Sequence, residues 1–67
     1  MSKYEGTVQD GRFRLVSGEV VRVTSIQPQE ARAPYDMELG DDGSKITIEG
    51  DLQGGWIYSA RIIQKGS

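Results

Sequence analysis

Apolar and polar residues alternate along most of this chain with the two-residue period of half-buried strands. From position 4 to 9, one face reads Tyr4, Gly6 and Val8, and the other Glu5, Thr7 and Gln9. Asp10-Gly11 follows, a dipeptide suited to the two-residue type I′ hairpin, where both central residues need positive φ. Closing that turn sets Val8 against Phe13, Thr7 against Arg14 and Gly6 against Leu15, with the apolar partners on one side. A slip of one residue would put Phe13 and Leu15 in water, so the register tests itself. The next reversal is expected as a three-residue loop, Ser17-Gly18-Glu19, which places Leu15 opposite Val21, Arg14 opposite Arg22 and Phe13 opposite Val23. The first unit is then a three-stranded meander with Tyr4, Val8, Phe13, Leu15, Val21 and Val23 pointing inward.

Two prolines, Pro28 and Pro34, bracket a stretch without strand pattern. At most one short helical turn is expected near 28–33, begun by Pro28 and stopped by Pro34, with a plain loop as the alternative. A second unit opens at Tyr35, where Tyr35, Met37 and Leu39 alternate with Asp36 and Glu38. Asp42-Gly43 offers a second type I′ turn, pairing Leu39 with Ile46 and Met37 with Ile48. A last three-residue loop, Gln53-Gly54-Gly55, aligns Ile48 with Ala60 and Ile46 with Ile62. That register turns Trp56, Tyr58, Ala60 and Ile62 inward, and Ile57, Ser59, Arg61 and Ile63 outward. The shared Asp-Gly spacing of the two units is hairpin chemistry rather than a repeat, since the apolar positions after each turn differ in parity.

Size and composition narrow the function. A 67-residue chain makes one domain, near the lower limit for folding without a staple. It has no cysteine and no histidine, which removes disulfides, thiolate metal sites and the commonest general base. A net charge of −2 gives no global field for nucleic acid or an anionic membrane, so only a local basic patch could attract either. The opening residues Met1 to Glu5 contain no apolar run, and the simplest reading is a cytoplasmic protein.

Neither meander can bury a face alone, so each must cover the other. The expected fold is all-β, a small five- to six-stranded antiparallel, partly closed barrel. Gly6-Thr7-Val8 leading into Phe13-Arg14-Leu15, a short turn where a helix would sit, then Ile46 to Gly50 closing through Trp56 to Ile62, resembles an OB-fold. An SH3-like barrel would give much of the same pattern. The OB resemblance implies that strands two and three form a face used for oligonucleotides or oligosaccharides.

Two surfaces follow from the registers. The outer face of the first meander carries Arg12, Arg14 and Arg22 with Thr7 and Thr24 beside them, a candidate site for an anionic ligand or a nucleic-acid backbone. Arg14 opposite Arg22 is a like-charge pair, which needs an anion or solvent to offset it. Stacking readout would need exposed aromatics, and the registers send Tyr4, Phe13, Tyr35, Trp56 and Tyr58 inward. The second surface is the last strand, 55–64, which is apolar on both faces. Ile57, Arg61 and Ile63 on its outer side suit a protein partner or a homo-oligomer. The carboxylates at Asp36, Glu38, Asp41, Asp42, Glu49 and Asp51 fit no calcium loop, and neither a metal nor a cofactor is expected. No nucleophile–base pair or phosphate loop is visible, so the chain reads as a non-catalytic binding module, or alternatively as an assembly protein.

Overall fold

The computed structural model describes residues 2–30, 32 and 34–66. Five strands, β1 (Ser2–Gln9), β2 (Arg12–Leu15), β3 (Val20–Val23), β4 (Lys45–Gln53) and β5 (Trp56–Gly66), close into a barrel in the order β1-β2-β3-β5-β4. A single turn of 3₁₀ helix, Pro28–Glu30, occupies the linker. The rest of the expected turn includes Ala31 and Ala33, which lie outside the described residues. All neighbouring strands are antiparallel except β3 and β5, which run parallel. Among the described residues, no helix is long and apolar enough to cross a membrane.

The first hairpin has the register read from its turn. Val8 faces Phe13, Thr7 faces Arg14 and Gly6 faces Leu15, with Asp10 at φ 53° and Gly11 at φ 77°. The second loop has the expected length but sits one residue earlier. Leu15 N–H donates to Glu19 O, so the loop is Val16-Ser17-Gly18. Such loops place a left-handed residue third, and Gly18 supplies it at φ 99°, a role that Glu19 would fill poorly. The register therefore moves by two: Phe13 faces Val21, and Arg14 faces Val20 rather than Arg22. Because the shift is even, the apolar face survives it.

The expected hairpin from Tyr35 through Asp42-Gly43 does not form. β4 already has β1 on one edge and β5 on the other, which leaves no edge for residues 35–39. Tyr4 faces Ile48 and Gly6 faces Ile46, the places expected for Met37 and Leu39. Residues 35–39 instead run as extended loop, joined to β3 by Met37 N–H donating to Val23 O. Leu39 still reaches the core and Met37 packs against it.

The last hairpin turns on two residues, not three. Gly54 and Gly55 both take positive φ, as a type I′ turn requires, and Gln53 faces Trp56. This reverses the parity of the strand that follows: Ile57 is fully buried, while Trp56 and Tyr58 lie half-exposed on the outer face. A bulge opposite Gly50 then restores the original parity. Ser59 takes φ 52° there, and Ala60 turns inward as expected. Gly50 is needed at this point, because a Cβ would sit 2.6 Å from Ile57 Cγ2 and 2.7 Å from Tyr58 O.

The core is Val8, Phe13, Val21, Val23, Leu39, Ile46, Ile48, Ile57 and Ala60, drawn from every strand and the 35–39 segment. A domain of this length carries about 3–10 kcal/mol of stability, so single core changes consume much of it. Phe13→Ala is expected to cost about 3–5 kcal/mol, and Gly50→Ala about 1–3 kcal/mol through overpacking at the bulge. Urea unfolding followed by the fluorescence of Trp56 measures both losses. A Gly50→Ala protein as stable as wild type would show that the bulge has room the backbone does not reveal.

Candidate functional site

The inward position of Phe13 and Val21 forces Arg12, Arg14 and Arg22 to the outer face of β2 and β3. Arg14 is exposed between Thr7 of β1 and Val20 of β3. Continuing the β2–β3 register by one step sets Arg12 level with Arg22. The like-charge pair anticipated on this face, Arg14 with Arg22, does not form, because Arg14 faces Val20; the cation level with Arg22 is Arg12, and an anion lies beside it.

That anion is Asp36. Arg22 Nε donates to Asp36 Oδ1 at 2.9 Å, and Nη2 donates to Oδ2 at 2.7 Å. The fork is bidentate, the geometry that makes arginine–carboxylate pairs specific as well as attractive. The Asp36 carboxyl is held below its ordinary range, first by the hydrogen bonds from Arg22, then by the positive charges of Arg22 and Arg12. Partial burial pushes the other way, by more than either neighbouring charge but by less than the hydrogen bonds. The same pairing raises the Arg22 guanidinium. Both side chains are 39% exposed, so water screens the pair.

Arg22 also spans the barrel's parallel seam. It is level with Trp56 across β3 and β5, and its guanidinium carbon lies 4.2 Å from the centre of the indole ring. The negative face of the ring attracts the cation. Tyr58, two residues on and on the same side of β5, stacks beside Trp56 with centroids 6.3 Å apart and planes 29° from parallel. The face therefore carries a continuous row, Asp36, Arg22, Trp56 and Tyr58, with Arg12 alongside.

The other expected site residues divide. Thr7 is half-buried on β1 next to Arg14. Thr24 is fully buried and cannot meet a ligand. Its backbone bonds on both sides to β5, Thr24 N–H to Ile57 O and Ala60 N–H to Thr24 O, and its Oγ1 accepts from Ile26 N–H at 3.3 Å. Ile57 is core and not outer surface, because the two-residue turn reversed its direction. Arg61 is exposed and donates to Glu49 at 3.1 Å, across the β4–β5 ladder. Ile63, displaced by a second irregularity in the β4–β5 ladder, is 38% exposed. It borders a groove with Tyr4, Leu15 and Val16.

Sequence reasoning missed Trp56 and Tyr58 as outer-face groups and Asp36 as the partner of Arg22. A signal for the aromatics was present: Gly-Gly is a favoured two-residue type I′ turn, and choosing it puts Trp56 and Tyr58 outside at once. Nothing local pointed to Asp36. Among the described residues, no cluster of three or more acidic side chains could hold a metal ion.

Fold and face together define a small closed β-barrel with a mixed basic and aromatic outer surface. Comparison with protein-family models, curated proteins and solved structures returns no match.

Asp36 has a folded pKa below its unfolded value, so its contribution to stability is complete above the ordinary carboxylate pKa. That contribution fades as pH falls through the depressed value, below about pH 4. Wild type is therefore expected to melt above Asp36→Asn at neutral pH, with the gap closing in acid. A gap that stays constant from neutral to acid pH would contradict the assignment.

Proposed function

We propose that this chain is a non-catalytic binding module that takes a single-stranded nucleic acid, or an anion of like chemistry, across the outer face of β2, β3 and β5. The observation that carries this reading is the sharing of one face by Arg12, Arg14 and Arg22 with Trp56 and Tyr58. Single strands are bound without strong sequence preference where cations track the backbone and aromatic rings offer platforms for bases. The five-strand ring with a β2–β3 face supports an OB-like reading of the barrel, and folds of that kind commonly bind oligonucleotides there. The overall charge of −2 means that attraction is local, so binding is weak and strongly salt-dependent.

The test is a salt titration with a short fluorescent oligothymidylate, read by anisotropy and by quenching of Trp56. Affinity at low salt should fall in the range of about 1–100 µM. Arg14, which has no protein ion pair in the described structure, is the cleanest probe. Arg14→Ala should weaken binding about three- to tenfold and flatten the salt slope by about 0.7. No salt-dependent binding, or an unchanged Arg14→Ala affinity, ends this reading.

A second reading, assembly through the last strand, keeps one supporting observation. Ile63 is exposed beside Val16, which is 81% exposed, and among the described residues β5 from Arg61 to Gly66 pairs with β4 alone. An open strand edge with nearby apolar side chains favours pairing with another chain. Sedimentation of wild type and Ile63→Glu decides it: a larger species lost on substitution supports assembly, and monomers in both cases remove it.

A further inference from the structure

The guanidinium best placed on the binding face is already in use. Both Asp36 oxygens fill the Arg22 fork, while the flat side of the same guanidinium lies over Trp56. Arg12 is near enough to act electrostatically on the same carboxylate. An arginine fork accepts a carboxylate and a phosphodiester in the same bidentate manner. Two cations acting on one bound carboxylate thus describe an oxyanion subsite: a fork, which the Trp56 ring backs, and a second positive charge.

The segment that brings Asp36 there does not depend on it. On one side the Tyr35 and Ser25 hydroxyls hydrogen-bond at 2.7 Å, and on the other Met37 N–H donates to Val23 O at 2.9 Å. Leu39 is buried in the core two residues further on. The carboxylate can therefore leave Arg22 by rotating its own side chain while the backbone stays docked. Asp36 and Arg22 are both partly exposed, so water and ions reach the pair.

We propose that Asp36 is the resident occupant of an anion subsite made by Arg22, Arg12 and Trp56, and that a backbone phosphodiester of single-stranded nucleic acid displaces it on binding. The inference rests on the function proposed above and adds its selectivity. A ligand must bring its own anion to free Arg22, so a neutral oligosaccharide gains nothing from this subsite. The apparent affinity of the wild-type face is lowered by the fraction of molecules in which Asp36 holds the fork. Neutralising Asp36 removes that competition without removing a cation.

Three proteins are compared with the oligothymidylate probe at one low salt concentration: wild type, Asp36→Asn and Glu38→Gln. Glu38 is an exposed carboxylate two residues away, so its substitution changes net charge equally and controls for the general field. Asp36→Asn should bind about three- to tenfold tighter than wild type, and Glu38→Gln less than about twofold tighter. In wild type, the carboxyl carbon of Asp36 followed by NMR should titrate closer to an ordinary aspartate once the probe is bound. Wild-type binding that Asp36→Asn leaves unchanged or weakens makes Asp36 a structural pin and overturns the inference alone. Equal gains in Asp36→Asn and Glu38→Gln overturn it in favour of a general charge effect. If no variant binds, the proposed function falls and this inference with it. Should Asp36→Asn fail to fold, an Asp36 titration in wild type that the probe does not move is the overturning result.

Discussion

The barrel depends on its narrowest contact, the parallel seam between β3 and β5. Two residue pairs form the ladder there, Arg22 with Trp56 and Val23 with Ile57, against eight between β4 and β5. Backbone bonds extend the seam in both directions, from Arg22 N–H to Gly55 O and from Ser59 N–H to Ile26 O. Without it the sheet would be an open ribbon edged by the short β3 and the long β5, and an open edge is a template for association. Beneath the seam, Val23 and Ile57 are buried in the core; above it, Arg22 lies over Trp56. The bidentate ion pair and the cation–ring contact thus cover a seam whose ladder is only two pairs long.

That arrangement gives the outer face a structural role beside the binding role proposed above. The Arg22–Trp56 contact bridges the strands that close the ring, and the Arg22–Asp36 fork adds a side-chain tie to a segment that Met37 N–H and Leu39 already hold against β3 and the core. The same groups are the ones a nucleic-acid backbone and its bases would meet. A site built from the closing contact is held in place by the fold's own need to stay closed, which limits how far its rings and cations can wander. It also ties occupancy of the face to the chain's internal pairing, since the guanidinium that a ligand wants is one that the protein already uses.

Parity along β5 shows how small backbone choices decide what a surface presents. A two-residue glycine turn in place of a three-residue one exchanges the directions of Trp56, Ile57 and Tyr58. The bulge at Ser59 then exchanges them back, so Ala60 and Ile62 end on the side that the longer loop would also have given. The expected pairs, Ile48 with Ala60 and Ile46 with Ile62, give way to Ile48 with Ile62 and Ile46 with Lys65, and what survives of the expected register is the facing of Ala60 and Ile62. Trp56, Ile57 and Tyr58 carry the difference between an aromatic core and an aromatic platform.

What could be read from residues alone was what depends on neighbours a few positions apart. The Asp10-Gly11 turn and the alternation around it determined the β1–β2 register, the inward set Val8, Phe13, Val21 and Val23, and the outward direction of Arg12, Arg14 and Arg22. The length of the second loop was also legible, and the left-handed requirement met by Gly18 explains its position. Only the tertiary structure decided that β1 takes the edge of β4, that β5 lies parallel to β3, and that Asp36 therefore meets Arg22. The physical reason is range: alternation says which side a residue prefers, but competition among distant strands for a limited number of hydrogen-bonding edges says which neighbour it finds there.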